Sequence, residues 1–66
     1  MKVYVCRFWK KGEKEMTEKM FVNEKVAKAL MDDVVTRPFY IEGTGTIDIL
    51  APDKYGELVL DDFIEY

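Results

Sequence analysis

The chain predicts a small two-layer α+β domain, an antiparallel sheet of about four strands packed on one helix in the order ββαββ. Three observations predict it. Residues 23–36, NEKVAKALMDDVVT, carry an apolar stripe at helical spacing. Runs rich in β-branched and aromatic residues flank that stretch on both sides. Gly, Pro and Asp punctuate those runs at hairpin intervals.

Residues 2–9, KVYVCRFW, read as the first strand. Alternation puts Val3, Val5, Arg7 and Trp9 on one face and Tyr4, Cys6 and Phe8 on the other. Lys11-Gly12 predicts a tight turn. Centred there, the register sets Phe8 opposite Glu15, Arg7 opposite Met16 and Val5 opposite Glu18. Residues 15–22 then return as the second strand, with Met16, Met20 and Val22 sharing a face. One long helix starting near Thr17 competes with this reading, because Met16, Met20, Ala27 and Val34 also fit helical spacing. The strand is preferred because Phe21-Val22-Asn23 has the character of an element boundary.

In the helix, Val26, Leu30 and Val34 recur at i, i+4 and i+8, and Ala27, Met31 and Val35 follow one position later. Two adjacent rows make a stripe wide enough to pack on a core. Asn23 is suited to the N-cap and Glu24 to the positive end of the helix dipole. Val22 and Ala27 occupy the staple positions. Asp32 and Asp33 lie near the negative end, a mismatch of a few tenths to about 1 kcal/mol. Arg37-Pro38 ends the helix, since Pro disfavours helical geometry in the residue before it.

Phe39-Tyr40-Ile41 is expected to begin another strand, interrupted at Gly43-Thr44-Gly45 by a hairpin turn or a bulge. Residues 46–50 resume it. Residues 51–56 form a loop, with Pro52 and Asp53 central to a type I turn. Residues 57–60 run back antiparallel. Asp61-Asp62 breaks the pattern, and Phe63, Ile64 and Tyr66 dock on the body as a short strand or a helical turn. No repeat, linker or low-complexity tract is visible, so residues 1–66 are read as one domain.

Composition narrows the chemistry. There is one Cys and no His, and Ser and Gln are also absent. A disulfide within the chain is impossible, and a zinc or other metal site is not expected. Neither a Ser–His–Asp nor a Cys–His arrangement can be built. Cys6, inside a strand, reads as a small buried hydrophobe. The expectation is a non-enzyme without cofactors. No apolar run approaches the ~20 residues that span a bilayer. A free thiol with no visible signal peptide predicts a cytoplasmic protein that does not enter a membrane.

Charge is uneven. Residues 1–37 carry nine Lys/Arg against six Asp/Glu, giving +3; residues 38–66 carry one against seven, giving −6; the total is −3. One helix covers one face of a sheet, so the other face is left to solvent or a partner. The expected function is therefore protein binding through the open sheet face, an edge strand or the acidic surface, as a regulator or inhibitor of a partner with a basic site. Tyr40, Tyr55 and Tyr66 are the candidate anchors and Asp61 and Asp62 the candidate acidic contacts. A homodimer is the natural second expectation for so small a core. The alternative is a nucleic-acid-binding hairpin in which Arg7, Trp9, Lys10, Lys11 and Lys14 interleave cations with an aromatic ring. The acidic balance, with a pI near 4.8, weighs against it.

Overall fold

A computed structural model describes the whole chain, residues 1–66. The elements are β1 (Val3–Phe8), β2 (Thr17–Phe21), α1 (Glu24–Val34), β3 (Thr46–Pro52) and β4 (Leu58–Glu65). All four strands join one antiparallel sheet in the order β2-β1-β3-β4. This is the ββαββ arrangement expected, with β2 as a strand and not as the start of a long helix.

The helix begins where its cap requires. Asn23 Oδ1 accepts the Lys25 N–H at 2.9 Å and the Val26 N–H at 3.3 Å, satisfying two free donors of the first turn. The buried row is Ala27, Met31 and Val34, with Leu30 and Val35 partly buried. Val26, expected in the core, is half exposed. The stripe is rotated toward the row led by Ala27, whose missing bulk lets the helix approach the sheet at Cys6. There the Cys6 thiol donates to the Ala27 carbonyl at 3.5 Å. Phe8, Tyr40, Ile47 and Ile49 complete the core between the layers.

Four boundaries differ from expectation. The β1–β2 register pairs Phe8 with Thr17, Arg7 with Glu18 and Val5 with Met20, two residues beyond the tight-turn register. The chain after Phe8 bonds elsewhere: Trp9 N donates to Thr44 Oγ1, Ile41 N to Trp9 O, and Lys11 N to Phe39 O. Those bonds hold residues 9–11 against residues 39–44, so β2 begins only at Thr17.

No strand forms at Phe39-Tyr40-Ile41. Apart from one bridge between Lys10 and Tyr40, these residues belong to two successive turns, closed by Tyr40 N to Arg37 O and Thr44 N to Ile41 O. Gly43, at φ 86°, takes the third position of the second turn, so it is neither a hairpin turn nor a bulge. Gly45 serves a different need: a Cβ there would lie 2.7 Å from the Tyr40 hydroxyl and 2.8 Å from Met31 Cε.

The last hairpin turns at Asp53–Gly56, where Gly56 N donates to Asp53 O, and Pro52 remains in β3. Asp53 Oδ1 accepts the N–H groups of Tyr55 and Glu57, which moves the turn centre to Lys54-Tyr55. Asp61-Asp62 does not end the strand. Ile49 pairs with Asp62 and Leu50 with Leu60, leaving Asp61 as the extra residue of a bulge inside β4.

The molecule measures 41 × 24 × 15 Å, with a radius of gyration of 12.5 Å. A compact chain of this length would have a radius of roughly 11 Å. The excess lies in the β3–β4 hairpin, where β4 reaches the core beneath the helix only through Ile64 near its end.

Candidate functional site

Cross-strand partners share a face, so the register sorts every strand residue. Tyr4, Cys6, Phe8, Phe21, Ile47, Ile49 and Ile64 lie on the helix side. Val3, Val5, Arg7, Met20, Asp48, Leu50, Leu60 and Phe63 lie on the open side. Val3 and Val5 are nonetheless only 6% and 3% exposed, covered by their open-side neighbours Leu50 and Met20. The open face therefore has a small apolar floor of its own, separate from the core beneath the helix.

One end of that face is ionic. Arg7 Nε donates to Glu18 Oε2 at 3.2 Å, and its Nη1 bonds Asp48 Oδ2. The other end is apolar and solvated: Met20, Leu58, Leu60 and Phe63 are all exposed. Along β4, Leu58, Leu60 and Phe63 line the open side, while the bulge turns Asp61 and Asp62 together toward the helix side, beyond the helix's reach. Asp61 meets Lys2 at 3.4 Å. Asp62, Glu57 and Glu65 form no ion pair. Asp62 Oδ1 instead accepts the Phe63 N–H at 2.8 Å.

The predicted anchors do not converge. Tyr40 is buried, its hydroxyl accepting the Gly45 N–H at 2.9 Å, so it is a core residue and leaves the exposed set. Tyr55 sits at the hairpin tip with Lys54 over its ring at 5.1 Å. Tyr66 lies at the other end of β4, roughly 30 Å away at strand rise. Burial first, then the charges of Asp32 and Cys6, raise its phenol above the ordinary range. Tyr66 and Tyr40 line a cavity of about 350 Å³ with Val35, Arg37, Glu42 and Gly43. Its only cation, Arg37, is already held by both Asp33 oxygens.

The basic-aromatic hairpin is mostly engaged within the fold. Arg7 is tied to two carboxylates, the Trp9 indole donates to Glu13 O at 2.8 Å, and Lys10 lies over the Phe39 ring at 5.4 Å. Lys11 and Lys14 remain as exposed cations. Cys6 is fully buried and its thiol is pushed up by burial, which keeps it in the unreactive neutral form. No group of three or more His, Cys, Asp or Glu converges to hold a metal ion. No helix is long and apolar enough to cross a membrane.

The residues missing from the sequence reading are Met20, Leu58 and Leu60. The signal was present in the alternation of Leu58 and Leu60. What was lacking was the register that sets all three on the face opposite the helix. No family model, curated protein or solved structure matches this chain.

Proposed function

We propose that this chain is a protein-binding domain, a regulator or inhibitor that docks through its open sheet face. The observation carrying this reading is the exposed apolar row Leu58, Leu60 and Phe63 on the sheet face opposite the helix, with Glu65, which forms no ion pair, at its end. Contiguous exposed apolar side chains rimmed by charge are the usual mark of a contact surface. The partner surface that fits is apolar with a basic rim, because Glu65, which shares the open side with that row and forms no ion pair, would be desolvated or paired on contact.

The test is site-specific photo-crosslinking in the source cell. A photoreactive residue at Leu60 should trap one discrete partner, and Phe63→Asp in the same chain should abolish the product. The same probe at Lys28, on the helix, should trap nothing comparable. A product formed from Lys28 but not from Leu60 would move the contact surface to the helix and overturn the proposal.

A further inference from the structure

We propose that copies of this chain associate head to tail, the β2 edge of one copy adding antiparallel to the β4 edge of the next. This goes beyond docking on a foreign partner and does not rest on it. The sheet order leaves β2 and β4 as its two edges. Successive antiparallel pairing makes β2 and β4 run in opposite directions. A second copy displaced along the sheet therefore meets β4 with an antiparallel β2 and keeps its helix on the same side.

The backbone phase agrees. Tyr66 N donates to Gly45 O and Asp53 N to Glu57 O, so alternation turns Leu58, Leu60, Phe63 and Glu65 outward. The Phe63 N–H, reaching its neighbour's carboxylate instead of a strand, marks that free edge. The same alternation carried across the sheet turns Glu18, Met20 and Val22 outward on β2.

One register then matches the two edges. Setting Lys19 of one copy opposite Asp62 of the next, with Asp61 beside it in the bulge, aligns Met20 with Leu60, Phe21 with Val59 and Val22 with Leu58. Thr17 falls opposite Ile64 on the far side of the bulge. Met20, Val22, Leu58, Val59 and Leu60 are 67%, 70%, 47%, 46% and 59% exposed in the single chain, and each meets an apolar side chain in this register. The helix-side contact is a cation against two carboxylates. The basic-leaning first half thus meets the acidic second half of its neighbour. A symmetric β4–β4 pair is disfavoured, because pairing Leu58–Glu65 with itself sets Asp61 opposite Asp62 of the other copy. A heterologous contact of this kind leaves a free edge at each end, so it extends beyond two copies.

The test is sedimentation velocity on the purified chain across a concentration series. The average mass should climb continuously above 7.8 kDa without a plateau at two copies. Lys19→Glu alone, and Asp61→Lys with Asp62→Lys, should each weaken association roughly tenfold or more, since each sets like charges across the junction. Mixing the two variants should restore wild-type association, because the swapped charges again oppose one another. Circular dichroism controls for folding, which these exposed positions should not disturb. A wild-type chain that stays at one copy throughout, a plateau at two copies, or a mixture no heavier than its components would each overturn the proposal. None of these results depends on a foreign partner; a Leu60 crosslink to a second copy appears as multiples of 7.8 kDa and is told by mass from a crosslink to a foreign protein.

Discussion

Removing the Tyr40 hydroxyl probes the contact that starts β3. In Tyr40→Phe the Gly45 N–H loses its acceptor at a buried position, at a cost of about 1–3 kcal/mol. In Gly45→Ala the new methyl would meet the same hydroxyl at 2.7 Å and Met31 Cε at 2.8 Å. Overpacking of that kind costs about 1–3 kcal/mol. The two changes share a target, so they should not add. With the hydroxyl gone, the alanine methyl has part of its space, and the buried N–H has already lost its bond. The double variant should be less destabilised than the sum by about 1 kcal/mol or more, within the range seen for residues in contact. Total stability for a domain of this size is roughly 3–10 kcal/mol, so each single variant should retain a folded population at low temperature. Urea unfolding followed by circular dichroism measures this, with a slope near 1 kcal/mol per molar expected for a small chain. Additivity within about 0.5 kcal/mol would show that Tyr40 and Gly45 act independently and refute the reasoning.

Three further outcomes are expected. Met31→Ala should cost about 2–5 kcal/mol, whereas Val26→Ala should stay within about 0.5 kcal/mol, because Met31 is fully buried and Val26 is half exposed; paired urea titrations decide whether the stripe is rotated as described. Asn23→Ala should cost about 0.5–2 kcal/mol through the lost cap, and Asn23→Asp, which keeps the acceptor, should remain near wild type in the same assay. Burial raises the folded-state pKa of Cys6 above its unfolded value, so its contribution is fully present below the unfolded thiol's pKa, near 8.5, and is lost as pH rises beyond it. Urea midpoints measured between pH 7 and 10 should therefore fall at the alkaline end, with a shallower fall in Cys6→Ala; identical profiles would contradict the linkage.

Much of the fold was legible in residue order. The periodicity of 23–36, the cap at Asn23 and the β-rich runs on either side are local properties, and local properties survive in the folded chain. Alternation likewise sorted Tyr4, Cys6 and Phe8 from Val3, Val5 and Arg7 without reference to any partner strand. The turn chemistry of Asp53 was legible in kind, but not its centre, because the choice between Pro52-Asp53 and Lys54-Tyr55 rests on which N–H groups the Asp53 carboxylate reaches.

Non-local contacts decided the rest. The hairpin register moved because Trp9 and Lys11 find hydrogen bonds in residues 39–44, far along the chain. Tyr40 is buried because its hydroxyl has a donor in Gly45, so an aromatic type common at interfaces became core. Sequence alone determined one helix, β-rich flanks, an acidic second half and a single buried-type thiol, since these follow from side-chain type and spacing. Only the tertiary structure decided which face of β4 looks away from the helix. Strand pairing sets Leu58, Leu60 and Phe63 on that open face, where nothing in the single chain packs on them, because burial depends on what packs above a strand and not on the strand's own pattern.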